Sequence, residues 1–128
     1  DTVDDVYTGT DTVEFLAKGV PDRIFFATNK SSLTTKSRDT LRKQATYLRK
    51  NKDVTVTVEG HADERGTREY NLALGERRAN AAKDYLMTYG VSGKRITVIS
   101  YGKEKPVNPA SSPLAWSQNR RSVTIKTN

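Results

Sequence analysis

The sequence predicts an α+β fold, a two-layer β-α-β-α-β-β sandwich with its helices on one face of a mixed sheet. Short segments with alternating valine or isoleucine indicate half-buried strands. Two longer segments with apolar residues at helical spacing separate these strands. A helix of that length can connect two parallel strands. The final strand follows a loop without a clear helix, so it can join the sheet antiparallel.

The first strand of the domain is predicted at about Arg23–Ala27, and the first helix at about Thr35–Asn51. Apolar residues of this helix recur at i, i+4 and i+7, as an amphipathic helix requires. The second helix is predicted over about Arg68–Tyr89. A proline-rich loop, Gly102–Ala115, precedes a helical turn around Leu114–Asn119. The remaining strands are predicted at Val54–Glu59, Lys94–Tyr101 and Ser122–Lys126.

Composition limits the classes of protein that fit this chain. The 128 residues suit one domain, which we expect at 23–128, behind an N-terminal tail or tether at 1–22 that holds at most a short edge strand. With no cysteine, thiol catalysis and thiolate metal sites are excluded. The net charge of +7 is spread along the chain rather than massed in one block, so nucleic-acid binding is a minor alternative.

One arginine of the second helix is expected to point inward. The predicted inward stripe is Leu74, Ala81, Tyr85 and Tyr89. Arg78 falls on this stripe, and a buried charge needs a partner. Asp63, just past the preceding strand, is the nearest candidate. The two residues form either a structural salt bridge or a site that holds the two charges of a zwitterion, such as an amino-acid head group.

The other candidate residues favour ordinary structural roles. His61 is the only histidine, and we expect a hydrogen-bonded structural residue rather than a base or a metal ligand. His61, Asp63 and Glu64 lack a second histidine for a usual metal set, so we predict no metal and no cofactor. Trp116 is expected in the core. Arg120 and Arg121 are either solvated or form a rim of the Asp63 cleft or a protein-docking edge.

Four motifs occur in order: GHADERGTREYN, LGERRANA, SYGKEKP and NRR. Together, over about Arg23 to Ile125, they resemble the OmpA-like peptidoglycan-binding domain, a family that also includes flagellar stator proteins and porin tails. The continuation Glu64–Thr67 and the segment Ser100–Pro106 are similar to the peptidoglycan-associated lipoproteins of the Tol–Pal system. The resemblance implies the β-α-β-α-β-β fold predicted above.

The resemblance also implies a function without catalysis. The family binds the diaminopimelate residue of the peptidoglycan stem peptide and ties the outer membrane to the cell wall. Its ligand residues correspond here to Asp63, Arg78, Asn71, Leu74 and Asn29. The implied location is the periplasmic face of the outer membrane, through a lipidated cysteine upstream of this chain. The implied protein partners are TolB, which competes for an overlapping surface, and TolA as a second candidate.

Two residues depart from the family pattern. Many members carry aspartate where this chain has Ala27, and an aromatic residue often stands at Thr28, so we expect altered contacts at this wall. Two alternatives of other classes are a basic nucleic-acid-binding domain and a wall-metabolising enzyme that uses His61 and Glu64. A flagellar stator or a porin tail is the alternative within the family, and the upstream sequence would decide between them.

Overall fold

The computed structural model describes residues 5–128 and confirms the predicted class. The strands are β1 Phe15–Ala17, β2 Val20–Pro21, β3 Arg23–Phe25, β4 Val56–His61, β5 Ile96–Gly102 and β6 Arg121–Lys126. The helices are α1 Thr35–Lys50, α2 Arg68–Thr88 and α3 Pro113–Asn119, and a 3₁₀ turn covers Gly93–Arg95. From β3 onward, each element lies within a few residues of the predicted one.

The main sheet has the strand order β3-β6-β4-β5. β4 and β5 are parallel and are joined through α2. β6 inserts antiparallel between β3 and β4, which are joined through α1. The carboxyl ends of β3, β4 and β5 and the amino end of β6 therefore meet at one edge of the sheet.

The core lies between the helices and the face of the sheet that carries Val56 and Val58. The inward stripe of α2 was only partly predicted. Leu74 is buried, but Ala81 and Tyr85 are half-buried and Tyr89 is exposed. The fully buried core residues of the helix are Ala79, Ala82 and Leu86, and Tyr85 packs against them. The predicted stripe therefore holds at Leu74 and Arg78 and is displaced by one residue beyond Arg78, where Ala82 and Leu86 take the places predicted for Ala81 and Tyr85.

The segment before β3 contacts the main domain. β1 and β2 pair with each other in a separate two-stranded sheet rather than at the edge of the main one. Tyr7 is buried, and its ring meets the ring of Phe25 edge-on at 5.0 Å. The first four residues of the predicted tail lie outside the described residues, and a domain boundary after residue 22 stays a prediction.

The backbones of β4 and α2 approach each other closely at two glycines. A Cβ atom on Gly60 would lie 1.6 Å from the carbonyl oxygen of Gly75, and one on Gly75 would lie 2.3 Å from Oγ of Ser100. Both positions therefore require glycine, and this contact sets how closely α2 packs on the sheet. None of the helices within residues 5–128 combines the length and apolar character that a membrane crossing requires.

We expect Gly60→Ala to destabilise the fold by about 3 kcal/mol or more, because the added methyl group overlaps main chain that cannot rotate away. Urea unfolding followed by circular dichroism would measure this change. Gly93→Ala is the matched control, because its Cβ would lie 3.1 Å from the flexible end of Met87 and the side chain can move. Equal unfolding midpoints for the two variants would contradict the proposed role of the Gly60–Gly75 contact.

Candidate functional site

The candidate site lies at the sheet edge where the strand ends converge. The turn after β3 supplies Thr28 and Asn29, and the loop after β4 supplies Asp63. Arg120 directly precedes β6, and α2 brings Arg78 across the same edge. Residues from four distant parts of the chain thus meet because the topology brings one end of each strand there.

Arg78 is buried, as the sequence predicted, and is only 1% exposed. Its Nε donates to the carbonyl of Lys30 at 2.8 Å, Nη1 to that of His61 at 2.9 Å and Nη2 to that of Ala27 at 3.0 Å. Burial, together with the charge of Arg120, lowers the pKa of Arg78 to about 10, so the guanidinium remains charged at neutral pH. Three of its five N–H groups donate to these carbonyls, and the other two make no hydrogen bond within residues 5–128.

Asp63 is held by two other arginines. The backbone N–H of Arg65 donates to Oδ1 at 3.0 Å, and the side chain of Arg65 contacts Oδ1 at 3.2 Å and Oδ2 at 2.8 Å. Arg120 donates from Nη1 to Oδ2 at 3.2 Å. Burial alone would raise the pKa of Asp63, but the hydrogen bonds from Arg65 and Arg120 outweigh it and the net pKa is lowered. The carboxylate is therefore ionised at neutral pH.

The structural salt bridge between Asp63 and Arg78, one of the two alternatives that the sequence left open, is not observed. Among the ion pairs within residues 5–128, none joins these two side chains. Arg78 is instead satisfied by backbone carbonyls, while Asp63 is satisfied by arginines that lie closer to it in the fold. Helical spacing placed Arg78 correctly, but it could not reveal which acceptors would surround the guanidinium.

Asp63 and Arg78 nevertheless line one cavity of about 240 Å³. All five residues predicted from the sequence lie on its wall, and the full lining is Thr28, Asn29, Asp63, Arg65, Gly66, Tyr70, Asn71, Leu74 and Arg78. The wall carries two arginines against one aspartate, so its charge favours an anionic group. The role of these residues in binding a ligand stays a prediction.

Three of the predicted residues shape this cavity. Asn29 has a φ of +58°, a left-handed conformation that asparagine tolerates better than most residues, and Tyr70 donates to its side-chain oxygen at 3.3 Å. Asn71 uses both amide N–H groups on the carbonyls of Arg65 and Thr67, at 2.7 and 3.0 Å, and so fixes the loop that carries Asp63. Leu74 is buried and forms an apolar part of the wall.

Sequence reasoning missed three residues of the cavity wall, Arg65, Gly66 and Tyr70. A signal for Tyr70 was available, because Tyr70, Leu74 and Arg78 follow one another at intervals of four along α2 and so share a face. No comparable signal marks Arg65, because its contact with Asp63 depends on the fold of the loop. Altered contacts were expected at Thr28, and a second carboxylate lies beside this residue. Asp5 accepts a hydrogen bond from the backbone N–H of Thr28 at 3.1 Å.

The prediction for Trp116 needs correction, and of the alternatives left open for Arg120 and Arg121 the solvated one is excluded. Trp116 is half-buried rather than a core residue, and its Nε1 donates to Oε2 of Glu64 at 2.7 Å. Arg120 and Arg121 are buried, so neither is solvated. Arg120 lies beside Asp63, at the cleft, where it also donates to the carbonyls of Phe26 and Asp5. Arg121 donates to the carbonyls of Asn119 and Lys105.

His61 is a buried, hydrogen-bonded residue, as expected. Its Nε2 lies 3.0 Å from Oε1 of Glu59, and its ring stacks on Tyr101 at 5.5 Å. Burial and the charges of Arg121, Arg23 and Lys105 lower the pKa of His61 to about 3, so the ring is neutral at physiological pH. Within the described residues, no group of three or more histidine, cysteine or acidic side chains is arranged to hold a metal.

Comparison with known proteins gives consistent results. A model described as the OmpA family matches residues 25–120. The peptidoglycan-associated lipoprotein of Rhizobium meliloti (strain 1021) is 57% identical over 106 residues, which cover 83% of this chain and 60% of that protein. The protein of the same name from Brucella melitensis biotype 1 is 52% identical over 106 residues, which cover 83% and 63%. The chain spans less than two thirds of the length of these relatives.

Solved structures resemble most of this chain. The crystal structure of the peptidoglycan-associated lipoprotein from Burkholderia pseudomallei has a TM-score of 0.81 at 35% identity, and the match covers 83% of this chain and 90% of that chain. The C-terminal domain of Helicobacter pylori MotB has a TM-score of 0.77 at 22% identity, and the match covers 84% of each chain. At that identity, the second likeness concerns the fold alone.

We expect the ring of His61 to stay neutral in the folded protein down to about pH 4. Its folded pKa of about 3 lies below the ordinary 6.5. As the pH falls between these two values, only the unfolded chain takes up the proton, so stability is lost by up to about 1.4 kcal/mol per pH unit. NMR titration of the single histidine would test this, with the urea-unfolded chain as control. A folded-state midpoint near 6.5 would contradict the inferred burial.

Proposed function

The chain belongs to the OmpA family, and from that premise we propose that it is a non-catalytic module that binds peptidoglycan. The proposed ligand is the diaminopimelate residue of a stem peptide. Binding is electrostatic and makes or breaks no covalent bond. Asp63 accepts from the free ammonium group of the diaminopimelate, and Arg78 donates to the carboxylate beside it.

One observation carries this proposal: a carboxylate and a buried guanidinium line the same cavity of about 240 Å³. Arg78 has two N–H groups left after serving three carbonyls, and they suit a carboxylate oxygen. The carbonyls fix the guanidinium before any ligand arrives, so little side-chain freedom is lost on binding. Leu74 offers an apolar surface for the methylene groups between the two ends of the ligand.

The size of the cavity supports recognition of a single residue. Sites for drug-sized ligands measure roughly 300–1,000 Å³, and this cavity is smaller. We infer that one amino-acid side chain enters and that the rest of the peptide lies outside. A wider groove of about 780 Å³ adjoins the cavity, and Thr28 and Arg65 line both. This groove is the natural place for the continuing peptide.

We extend the proposal to location and partners. Relatives over 83% of the chain are named peptidoglycan-associated lipoproteins, so we propose that this module ties the outer membrane to the cell wall from the periplasmic side. The anchor would be a lipid attached upstream of Asp1. TolB, and TolA as a second candidate, are the protein partners that the family resemblance implies, and they stay predictions.

We expect Asp63→Asn to weaken binding of a diaminopimelate tripeptide by about tenfold to a hundredfold, because a hydrogen bond to a charged group contributes about 1.5–3 kcal/mol. Isothermal titration calorimetry with the soluble tripeptide and co-sedimentation with purified sacculi would measure the loss. Asparagine has nearly the shape of aspartate but replaces one acceptor oxygen by an NH2 group, so the circular dichroism spectrum and the unfolding midpoint are measured to verify that the fold persists.

The matched control for the arginine is next to it in the sequence. Arg77 is exposed on α2, whereas Arg78 is buried one position on. Arg77→Lys should bind as the wild type does, and Arg78→Lys should bind at least about tenfold more weakly because lysine lacks the planar fork. Binding that survives both Asp63→Asn and Arg78→Lys in folded protein would refute this assignment of the site.

The ligand itself can be varied in the same experiment. A stem peptide with lysine in place of diaminopimelate keeps the ammonium group but lacks the neighbouring carboxylate, so the free N–H groups of Arg78 would have no partner. We expect it to bind at least about tenfold more weakly than the diaminopimelate peptide. Equal affinities for the two peptides would show that Arg78 does not read the carboxylate.

A further inference from the structure

Every acceptor position of the Asp63 carboxylate is already occupied. A carboxylate offers about four lone-pair sites. Oδ1 accepts from the backbone N–H and Nε of Arg65, at 3.0 and 3.2 Å. Oδ2 accepts from Nη2 of Arg65 at 2.8 Å and from Nη1 of Arg120 at 3.2 Å. An incoming ammonium group therefore has to displace one of these donors.

The side chain of Arg65 is the donor that can leave. The Arg120 side chain is 3% exposed and is fixed by two backbone carbonyls, whereas that of Arg65 is 42% exposed. The backbone N–H of Arg65 is held in place by Asn71, which donates to the carbonyl of the same residue. Displacement thus removes the Arg65 guanidinium from Asp63 and leaves the loop unchanged.

While it is paired with Asp63, the Arg65 guanidinium also contacts groups at the mouth of the cavity. It lies 4.2 Å from the centre of the Trp116 ring, and the indole N–H of Trp116 donates to Glu64. Nη2 of Arg65 also lies 3.3 Å from Oγ1 of Thr28. Arg65 and Thr28 form the boundary between the cavity and the adjoining groove. Arg65 is the exposed cation of that boundary.

We propose that Arg65 takes part in an exchange of ion pairs when the ligand binds. This inference rests on the function proposed above. The ammonium group of the ligand replaces the Arg65 guanidinium on Asp63. The released guanidinium then pairs with a second carboxylate of the same peptide, outside the diaminopimelate head group that Arg78 binds. The recognised chemical class is thus a peptide with one ammonium group and two separate carboxylates.

Charge balance is the physical reason for the second carboxylate. Before binding, Asp63 and Arg65 compensate each other as an ion pair. After the exchange, the ammonium group neutralises Asp63, and Arg65 loses the carboxylate to which it is hydrogen-bonded. The nearby carboxylates of Asp5 and Glu64 are already paired, Asp5 with Thr28 and Arg120 and Glu64 with Trp116. A stem peptide carries such a carboxylate on the glutamate that precedes diaminopimelate and another at its carboxyl terminus. Either carboxylate could pair with Arg65, and amidating one of them at a time shows which one does.

The test compares wild type and Arg65→Gln by calorimetry with four diaminopimelate tripeptides. One is unmodified, one is amidated at the glutamate, one is amidated at the carboxyl terminus and one is amidated at both positions. For the unmodified peptide, we expect Arg65→Gln to lose at least about tenfold in affinity. For the doubly amidated peptide, we expect Arg65→Gln to bind as well as the wild type or more tightly. The variant has no Arg65 guanidinium that the ammonium group must displace from Asp63. The single amides identify which carboxylate Arg65 binds.

The outcomes distinguish this inference from the proposed function. If the wild type binds none of the four peptides, the proposed function fails. If the wild type binds but Arg65→Gln changes all four affinities by one common factor, or changes none, the exchange is overturned. Arg68→Gln is the matched control, since Arg68 is exposed, pairs with Glu104 and does not line the cavity. Arg65→Met, which keeps an apolar contact for Trp116, repeats the test should Arg65→Gln prove unstable.

Discussion

The buried guanidinium of Arg78 joins the parts of the fold that form the site. One side chain on α2 donates to the turn after β3 through Ala27 and Lys30, and to the end of β4 through His61. Its charge lies 5.2 Å from the centre of the Phe26 ring, which is itself fully buried. An unsatisfied buried charge would be costly, so the three carbonyls must stay where they are as long as Arg78 is inside. The cavity is therefore shaped by the same contacts that make burial of the arginine tolerable.

The charged residues of the site are of two kinds, buried ones and one that is partly exposed. Arg78 and Arg120 are buried and fixed mainly by backbone carbonyls, which carry no net charge to neutralise them. Asp63 carries the main opposing charge, Asp5 adds a second carboxylate beside Arg120, and Arg65, half in solvent, pairs with Asp63. A site built in this way has an excess of positive charge held rigidly and one charged group that can move. Such an arrangement favours a ligand that brings its own anionic groups and offers a cation for Asp63.

The sequence predicted most of the site residues that were proposed, and the remaining residues show why others could not be predicted. Asp63 and Arg78 follow from one strand, one helix and the rule that a crossover brings the strand end near the helix start. Asn71, Leu74 and Asn29 came from the family resemblance, and all three line the cavity. Arg65 could not be reached in this way, because a loop residue has no periodicity that fixes its direction. Arg120 was left open for a related reason: basic residues before a strand are usually solvated, and only the packed edge reveals that this one is enclosed.

The sequence by itself determined the order and type of the elements from β3 onward, because alternation and helical spacing are local properties that follow from burial on one face. It also determined that Arg78 points inward, since four-residue spacing places it beside Leu74. The tertiary structure alone decided which atoms satisfy Arg78 and Asp63. Those partners are Ala27, Lys30 and His61 for Arg78, and Arg65 and Arg120 for Asp63. Most of them are distant in the chain, and they meet only because β6 inserts between β3 and β4, so that its amino end lies beside the carboxyl ends of those two strands.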